Sequence, residues 1–340
     1  MKSLIFTIII TMVSGIISLL VTYLITPWFT KYFKKIGLTV KDQNKKNKPL
    51  VPLSAGIPLI VGLVAGLFFY IFYITFFPGS VGNLDIGTEG LPILFAATTT
   101  IIIITFVGFM DDLLIRKDKE TSYGLKQWQK PLLTLVAAIP LMVIKAGTYQ
   151  MAFPFIGVIN FGVLYPLLLI PIGVVGASNM VNMLGGFNGL EVGMGIIYMT
   201  SLGLYAFQYH RWTASIISLV VVSGLIALWF YNKTPAKILA GDSLTYLLGA
   251  SLVTVAIIGN IERAAIIISI PFFIEFILKA RGKFKKQTYG YEVKGKIKSK
   301  YDKIYSIPHF FTISGKFTEK QIVYFMLLIQ LIFAITIWVI

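Results

Sequence analysis

The chain has 340 residues, of which 56% are hydrophobic and only 13% are charged, and its mean hydropathy is +0.82. A soluble protein carries about 25% charged residues, so this composition excludes a soluble cytosolic enzyme, a disordered protein and a fibrous repeat. In a membrane protein, the net charge of +16 is expected to mark the connections that stay on the cytoplasmic side. We therefore do not interpret it as a nucleic-acid-binding surface and expect no nucleic-acid partner. The absence of cysteine excludes a disulfide framework, a thiolate nucleophile and a cysteine-ligated metal.

Apolar segments recur along the whole chain at the length that crosses a bilayer as a helix, which is about 20 residues. The clear segments are residues 3–28, 54–77, 91–110, 192–210, 213–231, 238–258 and 321–340, and the shorter or interrupted ones are 131–144, 161–178 and 264–280. They predict an all-α polytopic membrane protein in which residues 1–340 form a single domain with about ten transmembrane helices. Within the connection 146–160, the sequence pattern predicts a small β-hairpin.

Lysine and arginine are concentrated on one side of the predicted topology, in the alternate connections between these segments, of which only 179–191 has none. The connections are 31–50, 111–130, 179–191, 232–237 and 281–320, and together with Lys279 they contain 26 of the 30 basic residues. Because basic residues are retained on the cytoplasmic side, these connections are predicted to be cytoplasmic and both termini to lie outside. Glu275 lies one turn before Lys279, which predicts an i,i+4 ion pair with the lysine amino group reaching toward the membrane surface; the alternative is that Glu275 lines the cytoplasmic site.

Four polar clusters fall at the predicted cytoplasmic ends of the spans, where ionisable side chains are functional candidates. One is the pair Asp111 and Asp112, which ends the third span. The other three lie in residues 42–56, 179–191 and 235–246. Taken alone, each has a structural alternative: solvated acids at a helix end, glycines in a tight turn, or a helix N-cap at Asp242.

Together, the clusters form one oxygen-rich set, which consists of Asp111, Asp112, Asn179, Asn182 and Asp242. Without histidine or cysteine ligands, such a set favours Mg²⁺, with Mn²⁺ as the alternative, over Zn²⁺. Lys45, Lys130 and the basic last connection are expected to hold anionic oxygens, which predicts phosphoryl chemistry between a soluble donor and a lipid. The sequence has no phosphate-binding loop and no kinase signature, which argues against ATP as the donor.

Three of these stretches resemble the signature motifs of one enzyme family. They are residues 42–56, with the pattern Asp-x-Asn-Lys…Pro-x-Ser-x-Gly, residues 179–191, Asn-Met-Val-Asn-Met-Leu-Gly-Gly-Phe-Asn-Gly-Leu-Glu, and residues 235–246, Pro-Ala-Lys-Ile-Leu-Ala-Gly-Asp-Ser-Leu-Thr-Tyr. The chain resembles the polyprenyl-phosphate N-acetylhexosamine-1-phosphate transferases, which are ten-helix membrane enzymes, and most of all their UDP-GlcNAc:dolichyl-phosphate branch. The resemblance implies transfer of GlcNAc-1-phosphate from UDP-GlcNAc to dolichyl or another polyprenyl phosphate, with release of UMP, as the first membrane step of N-glycan assembly.

The resemblance also implies roles for individual residues. Asn182 and Asp242 would ligate Mg²⁺ on the sugar-nucleotide diphosphate, and Asp111 and Asp112 would lie at the reacting phosphate with Lys130 as their cationic partner. The residues implied in substrate binding are Asp42, Lys45, Asn179, Gly186, Asn188, Gly189, Glu191, Lys237, Gly241 and His309. The match is weakest in residues 281–320, where lysines and the lone His309 replace a His- or Arg-rich signature, and these lysines would equally bind anionic membrane lipid.

Two alternatives stay open at this point. One is a different UDP-HexNAc phosphotransferase, such as one acting on UDP-MurNAc-pentapeptide and undecaprenyl phosphate. The other is a lipid or solute transporter, against which the nearly charge-free interiors of the spans argue. The sequence leaves the oligomeric state open, a homodimer included. High lysine and isoleucine with little arginine indicates an archaeal chain, which would lie in the cell membrane with a cytoplasmic active site.

Overall fold

The computed structural model describes residues 2–77, 87–115, 124–126, 128–153 and 156–340. Within those residues, eight helices are long and apolar enough to cross a membrane. They are α1 (Lys2–Ile36), α2 (Gly56–Phe76), α3 (Gly87–Leu114), α6 (Ile170–Met183), α7 (Leu190–Gln208), α8 (Trp212–Asn232), α9 (Gly241–Gly259) and α13 (Glu319–Thr336), and a π-helical turn, Tyr165–Leu169, precedes α6. The prediction of a polytopic helical membrane protein is confirmed.

Two of the weaker predicted segments are pairs of short helices. Residues 131–144 contain α4 (Gln129–Val136) and α5 (Ile139–Val143), and residues 264–280 contain α10 (Glu262–Ile268) and α11 (Ile270–Arg281). The second helix of each pair has a proline in its first turn, which is Pro140 in α5 and Pro271 in α11. A proline lacks the N–H that would continue the preceding helix, so these two segments are interrupted at Pro140 and Pro271, in agreement with the sequence pattern.

α1 extends into the segment 31–50 that the sequence predicts as a connection. Its last turn carries Lys34 and Lys35, whose charges favour the negative end of the helix dipole. Gly37 follows the helix with a φ of +78°, a conformation typical of the residue that ends a helix. The first lysines of this segment therefore belong to the helix, because nothing before Gly37 breaks it.

Two other predicted connections also begin later than expected. α6 continues to Met183, so Asn179 and Asn182 lie on its last turns and not in a loop. α3 continues to Leu114, and residues 116–123 and 127 of the connection 111–130 lie outside the described residues. A short helix, α12 (His309–Thr312), interrupts the last basic connection.

Three short antiparallel hairpins occur in the described part of the chain. β1 (Thr39–Lys41) pairs with β2 (Leu50–Pro52), β3 (Gln150–Phe153) with β4 (Gly157–Asn160), and β5 (Tyr291–Val293) with β6 (Lys296–Lys298). In register, Val40 lies opposite Val51, Met151 opposite Ile159 and Glu292 opposite Ile297. The hairpin predicted within residues 146–160 is confirmed, and the other two are additions to the all-α prediction.

Small residues let α1, α2 and α8 approach one another closely. Ser14, Ser18 and Thr22 form a buried stripe on α1, and the Ser18 hydroxyl donates to Val220 O on α8 at 2.8 Å. A Cβ atom added at Gly62 on α2 would lie 2.0 Å from Thr22 Oγ1. Helices associate in membranes through such small residues, because large apolar side chains gain little by leaving lipid.

α9 is the most deeply buried of the candidate spans, because 83% of its most apolar stretch is buried inside the protein. Two glycines approach its first turn. A Cβ atom at Gly56 of α2 would lie 2.4 Å from the carbonyl carbon of Ser243, and one at Gly108 of α3 would lie 2.3 Å from Asp242 O. These close approaches bring the start of α2 and the end of α3 to the N-terminus of α9.

Candidate active site

Asp112 is buried at the N-terminus of α9 and accepts hydrogen bonds from three groups. They are the backbone N–H of Asp242 at 2.7 Å, the backbone N–H of Ser243 at 3.2 Å and the hydroxyl of Ser54 at 2.8 Å. Ala240, which precedes the helix, makes no side-chain capping bond, so Asp112 caps α9 from another helix. The alternative prediction that Asp242 is the N-cap is wrong, because Asp242 lies inside the first turn.

Lys130, at the start of α4, joins carboxylates from two helices. Its Nζ lies 2.5 Å from Asp111 Oδ2 and 2.7 Å from Asp242 Oδ2, and the Asn182 side chain contacts Asp242. Burial alone would lower the pKa of Lys130, but the carboxylates of Asp242 and Asp111 raise it above its ordinary value, so the ammonium group stays charged. The implied pairing with Asp112 is corrected: that carboxylate faces the backbone of α9, and Asp242 takes its place.

The loop between α6 and α7, residues 184–189, is called the glycine loop here and is held from several sides. Gly186 has a φ of +127°, which only glycine adopts readily. Its N–H donates to Glu191 Oε1 at 2.8 Å. Asn188 donates through Nδ2 to Asp42 Oδ2, also at 2.8 Å, so the loop is tied to the β1–β2 hairpin.

These groups surround a cavity of about 890 Å³, a size found for small-molecule sites. Three parts of its lining concern the site. The first consists of Asp112, Lys130, Asn179, Asn182, Gly241 and Asp242, the second of Asp42, Gly186, Asn188 and Glu191, and the third of Lys279, Lys286, Gln287, Thr288 and Tyr289. The first two parts are residues that the sequence assigns to the site. Asp111 does not line the cavity, but its carboxylate forms an ion pair with Lys130, which does.

Two lysines implied in substrate binding lie outside the cavity lining. Lys45 forms an ion pair with Glu319 at the start of α13. Lys237 is exposed, and its Nζ lies 5.7 Å from the centroid of the Tyr231 ring, in cation–π contact. Each ammonium group therefore has a partner outside the cavity, and the implied substrate contacts of both lysines stay predictions.

Gly189 and His309 also lie behind the lining. Gly189 donates its N–H to Asn232 Oδ1 at 3.1 Å, which holds the end of the glycine loop against α8. His309 is buried, its Nδ1 accepts from Tyr305 N at 3.2 Å, and its Nε2 lies 3.0 Å from Gln287 O. Because Nδ1 accepts, the ring proton lies on Nε2 and is donated to Gln287. Both residues make contacts that hold loops, and their implied substrate contacts stay predictions.

Sequence reasoning missed the third part of the lining, apart from one signal. We call residues 286–289 the wall segment; it follows α11 and precedes β5. Glu275 and Lys279 form the predicted i,i+4 ion pair, with 3.6 Å between Nζ and Oε1. Lys279, however, is buried and lines the cavity, whereas the sequence places its amino group at the membrane surface.

The groups around Asp242 have the donor chemistry that Mg²⁺ prefers. Among the described residues, no group of three or more His, Cys, Asp or Glu side chains could hold a metal ion. Mg²⁺ usually takes only one or two protein carboxylates and completes its shell with water and substrate phosphates. Asp242 and Asn182, whose side chains are in contact at the cavity, therefore fit an ion that is shared with a phosphorylated ligand.

The family model described as glycosyl transferase family 4 matches residues 94–260. A protein of Saccharolobus solfataricus, named "Putative UDP-N-acetylglucosamine--dolichyl-phosphate N-acetylglucosaminephosphotransferase", is 34% identical over 305 residues, which cover 89% of this chain and 88% of that protein. This chain belongs to glycosyl transferase family 4. A protein of Sulfolobus acidocaldarius with the same name is 32% identical over 89% of this chain and 87% of its own length.

Similarity to a second group of relatives is shorter. A phospho-N-acetylmuramoyl-pentapeptide-transferase of Lactobacillus gasseri is 32% identical over 186 residues, which cover 52% of this chain and 58% of that protein. The resemblance based on the three motifs is thus confirmed, and the chain is an integral membrane protein of a transferase family. The family match, residues 94–260, includes Asp111, Lys130, Asn182 and Asp242 but excludes the wall segment.

Proposed function

We propose that the protein transfers GlcNAc-1-phosphate from UDP-GlcNAc to dolichyl or another polyprenyl phosphate and releases UMP, as the first membrane step of N-glycan assembly. The observation that carries this proposal is the cluster of Lys130, Asp111, Asp242 and Asn182 beside a cavity that the glycine loop also lines. The names of the two relatives that match most of the chain supply the substrates of the proposal.

The proposed reaction makes one bond to phosphorus and breaks another. An oxygen of the lipid phosphate bonds to the phosphorus that carries the sugar, the bond from that phosphorus to the bridging oxygen breaks, and UMP leaves with the electron pair. A phosphate monoester is already ionised near pH 7, since its second pKa is about 6, so the chain need not supply a base. Positioning and charge neutralisation are then its main tasks.

The cluster suits these tasks. Asp242 and Asn182 would hold Mg²⁺, or Mn²⁺, against the diphosphate, where the bound ion would neutralise negative charge on the leaving group. Lys130 brings a further positive charge to the same place, and its ion pairs fix its ammonium group there. We assign Asp111 to orienting Lys130 and the reacting phosphate. Asp112 is a positioning residue, because it holds the turn of α9 that carries Asp242.

A second candidate substrate pair is UDP-MurNAc-pentapeptide and undecaprenyl phosphate. The observation in its favour is the similarity to the phospho-N-acetylmuramoyl-pentapeptide-transferase of Lactobacillus gasseri, which covers 52% of this chain. The similarity to the Saccharolobus solfataricus protein covers 89% of this chain. We therefore place UDP-GlcNAc first.

We also propose that the cavity faces the cytoplasm and that both termini lie outside the cell membrane. The basic connections support this orientation, because lysine and arginine are retained on the cytoplasmic side. A cytoplasmic cavity would also meet a soluble sugar nucleotide directly.

The test is UMP release by the purified protein in detergent with UDP-GlcNAc, a short-chain dolichyl phosphate and Mg²⁺. We expect UMP only when all three are present, and none after addition of EDTA or omission of the lipid. UDP-MurNAc-pentapeptide should not compete with UDP-GlcNAc. A folded, monodisperse sample that releases no UMP from UDP-GlcNAc contradicts the proposal, and release from UDP-MurNAc-pentapeptide alone favours the second candidate.

A further inference from the structure

The ion pair of Glu275 and Lys279 lies buried at the end of α11, outside the residues that the proposed transfer uses. Both side chains are almost fully inaccessible, at 0% for Glu275 and 6% for Lys279. Burial of two charges is costly unless each is also hydrogen-bonded. The partners that satisfy these charges lie in two segments between α11 and α12. We call residues 282–289, which follow α11, the outgoing limb and residues 302–308, which precede α12, the returning limb.

Lys279 holds the outgoing limb. Its Nζ donates to Lys286 O at 2.9 Å and to Thr288 Oγ1 at 2.7 Å. The Thr288 hydroxyl in turn donates to Met183 O at 3.3 Å, at the residue after Asn182. Lys279 therefore fixes the wall segment on one side and, through Thr288, links it to the end of α6 that presents Asn182.

Glu275 holds the returning limb. It accepts from the Ser306 hydroxyl at 2.7 Å and from the Ile307 N–H at 2.8 Å. His309 connects the two limbs, because its ring bonds to Tyr305 N on one side and to Gln287 O on the other. One buried ion pair thus fastens both limbs to the same turn of α11.

The wall segment faces the glycine loop across the cavity. A Cβ atom built on Gly186 would lie 3.6 Å from Tyr289 Cδ1 and 3.8 Å from Thr288 Cβ. The next residue, Gly290, donates its N–H to Asn44 Oδ1 at 3.2 Å, and Asn44 donates to Gly186 O at 2.7 Å. The wall segment is therefore held from two directions, by Asn44 next to the glycine loop and by Lys279 on the side of α11.

We propose that Lys279 and Glu275 are positioning residues that set the width of the cavity between the wall segment and the glycine loop, and so determine how tightly the sugar nucleotide is bound. This inference rests on the proposed function for its substrate, UDP-GlcNAc. We call the Glu275–Lys279 ion pair and its hydrogen bonds to the two limbs the clamp. Loss of the clamp should weaken binding of UDP-GlcNAc in the ground state, because the wall segment would move away from it. Asp111, Lys130 and Asp242 would stay in place, since α3, α4 and α9 hold them without contacts to Lys279 or Glu275.

The kinetic test compares Lys279→Met with Lys279→Arg and with Lys316→Met, an exposed lysine outside the cavity lining. For Lys279→Met we expect KM for UDP-GlcNAc to rise about 10-fold or more while kcat changes less than about threefold, as for the loss of uniform binding. Lys279→Arg keeps the charge and the donors and should recover part of the affinity, and Lys316→Met should match the parent. A parental KM in Lys279→Met overturns the proposal.

A distance measurement keeps the inference separate from the proposed activity. The chain contains no cysteine, so spin labels on Lys285→Cys and Lys303→Cys, two exposed positions on the two limbs, report their separation alone. We expect one narrow distance distribution in the parent and a broader one in Lys279→Met. A parental distribution in that variant overturns the clamp even if activity falls. If the parent releases no UMP, the proposed function fails, while broadening still supports the clamp.

If Lys279→Met does not fold, Glu275→Gln provides the same test. The substituted side chain retains an oxygen that can accept from Ile307 or Ser306 but loses the charge that faces Lys279. We expect a smaller rise in KM than for Lys279→Met and a broadened distance distribution. An unchanged KM together with an unchanged distribution in Glu275→Gln also overturns the proposal.

Discussion

At the scale of single residues, the carboxylates of the cluster differ in what they contact. Asp112 accepts from two backbone N–H groups of α9 and from Ser54, so it is committed to holding that helix. Asp111 and Asp242 both contact Lys130, and only Asp242 also contacts Asn182 and lines the cavity. Adjacent acids in the sequence therefore make different contacts, although Asp112 and Asp242 both line the cavity.

Asp242→Asn should abolish most of the transfer without unfolding the protein. Lys130 would keep Asp111 as its counter-ion, so no buried ammonium group is left unpaired. If Asp242 binds Mg²⁺ as proposed, its loss would weaken binding of an ion whose charge stabilisation is worth several kcal/mol, so we expect UMP release to fall about 100-fold or more and to require higher Mg²⁺. The measurement is the initial rate of UMP release across a Mg²⁺ series.

Asp302→Asn is the matched control for that variant. Asp302 is exposed and lies outside the cavity lining, so the same chemical change there should leave both the rate and the Mg²⁺ requirement at parental values. Parental activity in Asp242→Asn, with thermal stability unchanged, would contradict the assigned role of Asp242.

At the scale of helices, the close packing of α1, α2 and α8 depends on glycine at specific points. Gly62→Ala would place a methyl group 2.0 Å from Thr22 Oγ1 and 2.7 Å from Ser18 O, so the helices must move apart. Overpacking of this kind costs about 1–3 kcal/mol, and we expect a clear drop in the apparent melting temperature in detergent. Gly176→Ala on α6, where a Cβ atom meets nothing within 4 Å, should melt at or above the parental temperature.

The limbs between α11 and α12 should lose stability at acidic pH because of His309. Burial lowers the pKa of His309, and the nearby charge of Lys279 lowers it further. A lowered pKa in the folded state means that the neutral ring is favoured by folding. The stabilisation is then complete above the ordinary histidine pKa of about 6.5 and is lost as the pH falls through the lowered value.

The hydrogen bonds of His309 also predict a loss of stability at acidic pH. A proton on Nδ1 would place its N–H opposite the N–H of Tyr305, which donates to Nδ1 when the ring is neutral. The measurement is the melting temperature between pH 8 and pH 5 for the parent and for His309→Gln. We expect the parent to lose stability below about pH 6.5 and the variant to show a flatter profile. Equal pH profiles would contradict this account of the limbs.

The sequence predicts the helices better than the site's outer residues, for a physical reason. Apolar length is a local property, and it identifies α2, α7 and α8 to within a few residues. It does not report where a backbone stops being helical, so the ends of α1 and α6 are misplaced. Lys45 is assigned to the substrate because its partner, Glu319, lies 274 residues away. Likewise, nothing local in the sequence places Thr288 beside Met183.

The central site is more predictable than its outer wall. The carboxylates and amides at Asp111, Asn182 and Asp242 are conspicuous in an apolar chain, because charged groups are rare at membrane depth. The wall segment lies among many lysines, where one more basic residue carries little information. Only the i,i+4 pair of Glu275 and Lys279 points to it, and its meaning depends on contacts that the fold creates.

At the scale of the whole molecule, the charged and amide groups at and around the cavity lie at one end of the helices. Asp111 and Asn182 end α3 and α6, Asp242 and Glu319 begin α9 and α13, and Lys279 lies near the end of α11. In a chain that crosses the membrane repeatedly, such alternation of starts and ends brings all of them to one face. Glu262 and Arg263, at the start of α10, lie beyond the far end of α9, and the Arg263 side chain contacts the C-terminal Ile340 O at 2.7 Å.

This sorting makes the orientation testable with single cysteines in a chain that has none of its own. Lys300→Cys replaces an exposed residue beside the β5–β6 hairpin, and Lys145→Cys replaces an exposed residue after α5. With an impermeant maleimide on intact cells, we expect Lys145→Cys to react and Lys300→Cys to react only after permeabilisation, because the basic connections should be cytoplasmic. The opposite pattern would reverse the proposed orientation.

The same approach distinguishes a transferase from a transporter. Asn179→Cys lies in the cavity lining, and a site that serves a cytoplasmic donor need be open only to that side. A transporter must expose its site to both sides in turn. We therefore expect Asn179→Cys to be labelled only after permeabilisation, as Lys300→Cys is. Labelling of Asn179→Cys in intact cells, at a rate comparable with Lys145→Cys, would favour transport, because the cavity would then open through the bilayer.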